Sequence, residues 1–162
     1  MKCVDNRQNK WIVTQAPTRP FNKEEPAVRK SFEDFPPAGI RSGGIVLGLV
    51  ANLFLASKIV QTAKHCHLAV HHFDRAEALL KFAGQHVPIL IILDWDDCEA
   101  EAFKLLKELA RNTDLQHVPA VGYLSQAKAL LKEEARRAGC HRVYGKTEFN
   151  RDLASLLTRY AQ

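Results

Sequence analysis

From Gly44 onward, short apolar runs alternate with longer segments in which apolar residues recur every three or four positions. A run of four to eight apolar residues is typical of a buried strand, and the longer spacing is typical of an amphipathic helix. Strands that alternate with helices form βαβ units and hence a parallel sheet. The predicted strands are 45–50, 68–71, 89–93, 118–123 and 142–144.

The helices between these strands are predicted from their apolar stripes and from the residues at their ends. Asp74 is a predicted N-cap, Ser125 is another, and Gly139 suits the position just after a helix. The third helix begins with Glu99 and Glu101, which favour the positive end of a helix dipole. The predicted helices are 53–65, 75–82, 99–111, 126–138 and 148–160.

Five parallel strands with right-handed crossovers in about 120 residues favour a flavodoxin-like α/β fold. This is a doubly wound five-stranded parallel sheet of order 2-1-3-4-5, with helices on both faces. A site in such a sheet lies beyond the carboxyl ends of the strands. The apolar run 88–93 ends in Asp94, and we expect this acid to share an edge with Val50, Ala51, Leu124 and Ser125.

The chain divides near Gly43. Residues 1–43 hold five of the seven prolines and end in a Ser-Gly-Gly sequence, a composition that resists regular structure. We therefore expect a largely disordered extension over 1–43 and a folded domain over 44–162. The chain ends directly after the last predicted helix, and we expect no effector domain to follow.

Charge and composition exclude several classes of protein. Residues 44–162 carry 15 Lys and Arg against 13 Asp and Glu, a balance that argues against nucleic acid as a partner. The four cysteines show no paired spacing, as expected of reduced thiols. The N-terminus lacks a secretory signal, and the apolar stretch 44–60 is too short and too polar to span a membrane. We expect a cytoplasmic protein without a membrane anchor.

The sequence offers little support for an enzyme. No phosphate loop, nucleophile elbow or dinucleotide fingerprint is present, and Ser125 has no histidine beside it in sequence. His65, His67, His71 and His72 cluster along the chain, but a helix-to-strand turn and a strand separate them by about 10 to 13 Å at 3.3 Å per residue. We therefore expect these histidines to be polar loop and edge-strand residues, with a metal site as the alternative.

Several features, in order and at matching spacing, resemble the receiver domain of bacterial response regulators (CheY-like) over residues 45–162. The run ending in Asp94 resembles the strand with the phosphoaccepting aspartate. Val118-Pro119 resembles the opening of strand four, and Ala138-Gly139-Cys140 the turn before strand five. Lys146 falls where the family has its active-site lysine. The resemblance implies that Asp94 is the phosphoacceptor equivalent and Lys146 the lysine equivalent.

The resemblance also shows where this chain departs from the family. Receivers hold Mg²⁺ with an acid pair at the end of strand one, because transfer of a phosphoryl group to a carboxylate requires neutralisation of clustered negative charge. That pair falls on Val50 and Ala51, which cannot bind a metal. Asn52 offers one neutral oxygen, and the remaining weak metal candidates are Asp94, Asp96 and Asp97. We expect no cofactor, with Mg²⁺ only under the alternative described below.

The switch residues of the family differ as well. The hydroxyl residue that ends strand four and the aromatic residue of strand five fall on Leu124 and Val143, although Ser125 and Tyr144 are their direct neighbours. Without metal ligands, Lys146 is expected to form an internal ion pair with Asp94.

The resemblance implies a stand-alone pseudo-receiver in a bacterial two-component or phosphorelay system. We expect it to act through protein–protein interaction without Mg²⁺-dependent phosphorylation, and not as an enzyme. Its expected partners are signalling proteins, such as a histidine kinase or another regulator, or a second copy in a homodimer. The resemblance places the interaction face at Arg136, Arg137, Arg142 and Tyr144, although a plain solvated helix face is the favoured interpretation of the charges of 132–137.

Two alternatives remain open at this point. In the first, Asp94 is a working phosphoacceptor with an atypical metal site built from Asp94, Asp96 and Asp97. In the second, the domain is a flavodoxin-like enzyme or ligand-binding domain, which requires a sizeable apolar pocket at the strand ends.

Overall fold

The computed structural model describes residues 43–162, in which five strands and five α-helices alternate as the hydrophobic pattern predicts. Apart from Gly43, the predicted extension lies outside the described residues. The strands are β1 (Ile45–Leu49), β2 (Ala69–Phe73), β3 (Leu90–Asp94), β4 (Ala120–Leu124) and β5 (Arg142–Gly145). The helices are α1 (Leu53–His65), α2 (Ala76–Ala83), α3 (Glu99–Arg111), α4 (Leu131–Arg137) and α5 (Lys146–Tyr160).

The strands form one parallel sheet in the order β2-β1-β3-β4-β5, which confirms the predicted doubly wound fold. All four strand pairs are parallel. In this register Asp94 lies opposite Tyr123, and Leu124 lies opposite Gly145. The residues that follow β1, β3, β4 and β5 therefore meet at one edge of the sheet.

Alternate residues of the central strands supply two apolar cores, one on each face of the sheet. Leu47, Leu49, Ile91 and Leu93 pack with α2, α3 and α4. Val46, Ile92 and Tyr123 pack on the other face with α1 and α5. The cysteines of the described part agree with the expectation of reduced thiols, since Cys98 and Cys140 are free and buried and Cys66 is free and partly exposed.

Two predicted N-caps, Asp74 and Ser125, are wrong. Arg75, not Asp74, is the N-cap of α2, and it makes no capping bond with its side chain. Glu101 of α3 supplies the cap instead, because its carboxylate accepts a hydrogen bond from the Ala76 amide at 2.7 Å. A capping acceptor on another helix satisfies the free Ala76 amide, but it leaves no capping pattern in the local sequence.

The segment after β4 differs most from its prediction. A single helix is predicted from Ser125 to residue 138, but a 3-10 helix, Gln126–Lys128, comes first and α4 begins only at Leu131. The Ser125 hydroxyl makes no capping bond. Gly139 follows α4 with a φ of 115°, the left-handed conformation for which a glycine is predicted there.

Trp95 is completely buried beneath the site edge and packs edge-on against Phe103, with ring centroids 4.9 Å apart. Its indole fits because Gly122 on the neighbouring strand has no side chain: a Cβ at that position would collide with the Trp95 ring. In residues 43–162 no helix combines the length and apolarity needed to cross a bilayer.

Candidate functional site

Asp94 ends β3 and is completely buried, at 0% exposure. Its Oδ1 accepts hydrogen bonds from the backbone amides of Asp96 and Asp97, at 3.0 and 3.2 Å. An aspartate that accepts from the amides two and three residues later closes an Asx-type turn. Asp94 therefore shapes the loop between β3 and α3.

The second oxygen of Asp94 faces a different environment. Oδ2 and the Tyr123 hydroxyl are both buried, and neither has a partner at hydrogen-bond geometry within the described part of the chain. The two residues are register partners on adjacent strands. Burial raises the pKa of Asp94, and the nearby Tyr123 hydroxyl and the two amides offset only part of that effect. Burial and the Asp94 charge likewise raise the pKa of Tyr123.

Lys146 pairs with Asp96, so the predicted ion pair between Lys146 and Asp94 is wrong. Lys146 Nζ lies 3.3 Å from Asp96 Oδ2. The other oxygen of the same carboxylate accepts a hydrogen bond from the Ser125 amide at 2.8 Å. Asp96 belongs to the turn that Asp94 closes, and its carboxylate, not that of Asp94, pairs with the ammonium.

The Asp96 carboxylate is strongly held in this position. Its side chain is only 14% exposed, and burial alone would raise its pKa. Hydrogen bonds from Ser125 and Lys146 outweigh burial and hold the pKa of Asp96 below its ordinary value. A negative group is thus fixed between an ammonium and a backbone N–H, two donor types that bind anions in proteins.

Lys128 is a second ammonium in this region, and sequence reasoning missed it. Its Nζ donates to the Trp95 and Asp96 carbonyls at 3.2 and 3.1 Å and to Glu99 Oε2 at 2.8 Å. The Glu99 carboxylate raises the pKa of Lys128, which stays charged. The three oxygens come from the β3–α3 loop and the first turn of α3, so Lys128 links this loop to the segment after β4.

The end of β1 offers no metal ligand. Val50 is buried in the apolar core that contains α1 and α5, and Ala51 is an exposed residue without a polar side chain. The Asn52 side chain caps α1, because its Oδ1 accepts from the Leu55 amide at 3.0 Å. The one neutral oxygen predicted near this edge is therefore committed to the helix.

The remaining metal candidates do not converge. Asp94 faces its own loop amides, Asp96 faces Lys146, and Asp97 is exposed. Within residues 43–162, no three His, Cys, Asp or Glu side chains are grouped to hold a metal ion, which also applies to the histidines of β2 and its flanks. Magnesium prefers octahedral oxygen ligands, usually one or two carboxylates completed by water. The Asp94 and Asp96 carboxylates, which would be the ligands nearest the strand ends, are instead engaged by loop amides and by Lys146.

Leu124 and Val143 occupy the predicted switch positions as buried residues of one apolar core. Tyr144 is also buried, but on the opposite face, with its ring 6.2 Å from that of Phe149. Ser125 contributes its backbone amide to Asp96. A slip of one residue in the alignment would thus exchange the two faces of the sheet.

The predicted interaction face is mixed in character. Arg136 pairs with Glu133 at 2.9 Å within α4, and Arg137 is exposed. Arg142 lies over the Tyr144 ring at 4.6 Å and also pairs with Glu148 at 3.7 Å. These contacts leave Tyr144 covered, so the face presents mainly guanidinium groups.

Sequence reasoning missed two residues of this site, of which only Tyr123 carried a signal. Extending predicted strand three by one residue, to Asp94, and pairing it with strand four would have placed Tyr123 next to Asp94. Lys128 lies among small polar and apolar residues with no motif, and only the chain path after β4 brings it to the loop.

Comparison with solved structures supports the fold. The receiver domain of a sensor histidine kinase from Pseudomonas aeruginosa, described with magnesium in its active-site cleft, superposes with a TM-score of 0.63 at 16% identity, covering 74% of this chain and 98% of that one. A response regulator from Hahella chejuensis gives 0.64 at 21% identity, with 72% and 94% covered.

The chemotaxis response regulator CheY4 of Vibrio cholerae gives a TM-score of 0.64 at 16% identity, with 74% of this chain and 99% of that chain covered. No family model and no curated protein matches the sequence. The sheet order, the helices on both faces and these superpositions agree. Residues 43–162 therefore have the CheY-like fold of response-regulator receiver domains.

Proposed function

We propose that this domain is a pseudo-receiver: a cytoplasmic signalling module of a bacterial two-component or phosphorelay type that acts by binding other proteins, without Mg²⁺-dependent phosphorylation and without enzymatic activity. The observation that carries the proposal is the position of Asp96. Its carboxylate occupies the Lys146 ammonium and the Ser125 amide, the groups available at this edge to bind an added anion.

A phosphoryl group on Asp94 would meet three physical obstacles. The Asp94 carboxylate is buried, and one of its oxygens already closes the loop turn. Asp96 would have to leave Lys146 for the incoming oxygens to be neutralised. Val50 and Ala51 supply no carboxylates for the metal ion that offsets clustered charge in such transfers. These obstacles support a role that does not depend on phosphorylation.

The proposed partners are signalling proteins, in keeping with a protein-binding role. Solved structures with this fold include receiver domains of sensor histidine kinases from Pseudomonas aeruginosa and Syntrophus aciditrophicus. We infer that this chain binds a histidine kinase or another regulator of such a system. An enzyme of another class is disfavoured, since Asp94 does not line the open groove at this edge.

Treatment with acetyl phosphate and millimolar Mg²⁺, followed by mass spectrometry of the intact protein, tests the proposal. We expect no adduct on Asp94, while a receiver domain that retains its acid pair gains one phosphoryl group under the same conditions. We also expect Mg²⁺ to leave the fluorescence of the buried Trp95 unchanged, since the Asp94 and Asp96 carboxylates are already engaged within the site.

The variant Asp96→Ala separates the effect of Asp96 from the other two obstacles to phosphorylation. It frees Lys146 and the Ser125 amide while the Asp94 turn is kept, and a slow adduct in this variant alone would show that Asp96 blocks the site. An acid-labile adduct on Asp94 of the unaltered protein, absent from Asp94→Asn, would overturn the proposal in favour of a working phosphoacceptor.

A further inference from the structure

The start of α1 presents two large apolar side chains to solvent. Leu53 is 82% exposed and Phe54 is 81% exposed. Single exposed apolar residues are common on protein surfaces and require no explanation. Phe54 differs because it forms one wall of a groove of about 770 Å³ that runs along the site edge.

The floor and walls of this groove combine apolar and polar parts. Its lining includes the buried Leu55 and Leu124, together with Ala129 and Phe54. The first residues of α5, including Lys146 and Thr147, form the remaining wall. We call this feature the α1–α5 groove. A concave surface with an exposed aromatic ring can take up an apolar side chain of a second molecule.

The charged side chains around the α1–α5 groove are mainly positive. Lys132 and Arg151 line it, and Lys58 is placed beside it through a 3.0 Å hydrogen bond to the Asn150 amide oxygen. Within residues 43–162, Lys132 has no acidic partner within ion-pair distance, and Lys58 has only this neutral one. Arg151 is partly neutralised by Asp152, at 2.7 Å.

The acids near the groove are already engaged. Glu148 accepts from the Gly145 amide at 3.3 Å and lies 3.7 Å from Arg142. Asp96 is engaged by Lys146. In addition, α1 has no acidic residue in its first turn, so the positive end of its dipole next to Phe54 is not offset locally. The groove therefore has an excess of unmatched positive charge around an apolar centre.

We propose that the α1–α5 groove docks an acidic segment of a partner protein, in which an aromatic or large aliphatic side chain packs on Phe54 and flanking carboxylates face Lys132 and Lys58. This rests on the proposed function as a protein-binding module and specifies its surface and the chemistry of its partner. The surface is separate from the arginines of α4 and β5 that the family resemblance indicates.

Charge and shape favour a protein segment over other occupants. The described domain carries 15 basic against 13 acidic side chains, too small an excess for a polyanion surface. A second copy docked groove to groove would place the two sets of lysines against each other, and such like-charge contacts are costly. A short acidic segment meets the local excess of positive charge, and one of its apolar side chains can enter the groove.

The test uses two fluorescein-labelled peptides of about four helical turns, or about 15 residues. The first carries Phe and Leu on one helical face and Glu on the other, and its twin carries Lys in place of every Glu. Fluorescence anisotropy with the full chain is expected to show binding of the acidic peptide at least about tenfold tighter than the twin.

Matched variants locate the binding. Phe54→Ser and Lys132→Glu are each expected to weaken the acidic peptide about tenfold or more, as for central residues of an interface. Val87→Ser removes another exposed apolar residue, and Lys104→Glu reverses an exposed lysine of α3; both are expected to stay within about twofold. Because Phe54 and Lys132 are not buried, both variants should fold, and circular dichroism checks this.

Several outcomes would overturn the docking proposal. These are equal affinity for the two peptides, no binding of either, or binding that Phe54→Ser and Lys132→Glu leave unchanged. Dimerisation of the chain that Phe54→Ser abolishes would assign the groove to a second copy. Binding to phosphatidylserine vesicles that Phe54→Ser abolishes would assign it to a membrane.

No phosphodonor is added in the peptide-binding measurements. The docking proposal and the proposal that Asp94 is not phosphorylated are therefore tested independently. Loss of peptide binding with no adduct on Asp94 contradicts the docking proposal alone. An adduct on Asp94 together with peptide binding by the untreated protein contradicts only the claim that phosphorylation is absent.

Discussion

Asp94 keeps a carboxylate in a completely buried position because the residue has a local structural task. Two loop amides bind Oδ1, and burial still raises the pKa of the group above its ordinary value. A raised pKa means that the folded state holds the proton more tightly than the unfolded chain does. The free energy of unfolding therefore falls as pH rises from the ordinary value of 3.8 through the native pKa, and the loss persists above it.

The substitution Asp94→Asn is predicted to stabilise the protein at pH 7. The amide oxygen can accept the same two backbone hydrogen bonds, and no buried charge remains to be desolvated. We expect a gain on the order of 1 kcal/mol at pH 7 that shrinks toward pH 4. Urea unfolding of both proteins between pH 4 and pH 8 measures this, with the exposed Asp97→Asn as control. A variant less stable than the parent at pH 7 would contradict the assignment.

Gly122, the smallest residue of β4, leaves the space that the Trp95 indole occupies. Gly122→Ala places a methyl group against the buried indole, and overpacking of this kind costs about 1–3 kcal/mol. We predict a loss of that size in the free energy of unfolding, together with a shift of the Trp95 emission. Gly145→Ala in the adjacent strand has no atom within 4 Å of the new Cβ, and it should change stability by less than about 0.5 kcal/mol. Equal losses in the two variants would disprove the packing argument.

At the scale of elements, the β3–α3 loop is held from two sides. Lys146 at the start of α5 binds Asp96, and Lys128 of the 3-10 helix binds two loop carbonyls and Glu99. The break between this 3-10 helix and α4 places Lys128 over the loop. Three connections at the site edge are thus joined by side chains, although they are far apart in sequence.

Lys128→Met is predicted to loosen the loop while leaving the sheet intact. The methionine keeps most of the apolar stem but donates no hydrogen bond to the loop oxygens. Amide hydrogen exchange followed by mass spectrometry should show faster exchange in residues 95–99 and unchanged exchange in β1 and β3. Lys132→Met, a few residues further on, is the control and should leave the loop unchanged. Unchanged exchange of the loop in Lys128→Met would mean that Lys128 does not hold it.

Sequence patterns predicted the elements better than their ends. The five strands follow from apolar runs, because burial on both faces demands such runs wherever the sheet forms. Their order agrees with the doubly wound topology predicted for right-handed crossovers. The caps at Asp74 and Ser125 failed for a different reason. At the first, the free Ala76 amide is satisfied by Glu101 from a neighbouring helix, which no local pattern predicts. The second position precedes a 3-10 helix, and Ser125 makes no capping bond there.

At the scale of the whole molecule, the site residues were located more reliably than their partners. The sheet topology brings Asp94, Ser125 and Lys146 to one edge whatever the loops do, so their common location could be predicted. Whether Asp94 or Asp96 pairs with Lys146 depends on the turn that Asp94 closes with the Asp96 amide. Carboxylates only two residues apart cannot be distinguished from composition or spacing, because the loop conformation decides which one reaches the ammonium.

The Lys128 contacts give the β3–α3 loop a positive charge that does not depend on dissolved metal ions. A dissolved metal ion can be diluted, chelated or exchanged for another ion, and the occupancy of its site then follows its concentration. The Lys128 ammonium is covalently part of the polypeptide and lies within 3.2 Å of three oxygens of the loop. The positive charge at this position is therefore present at every concentration of divalent ions, and EDTA cannot remove it.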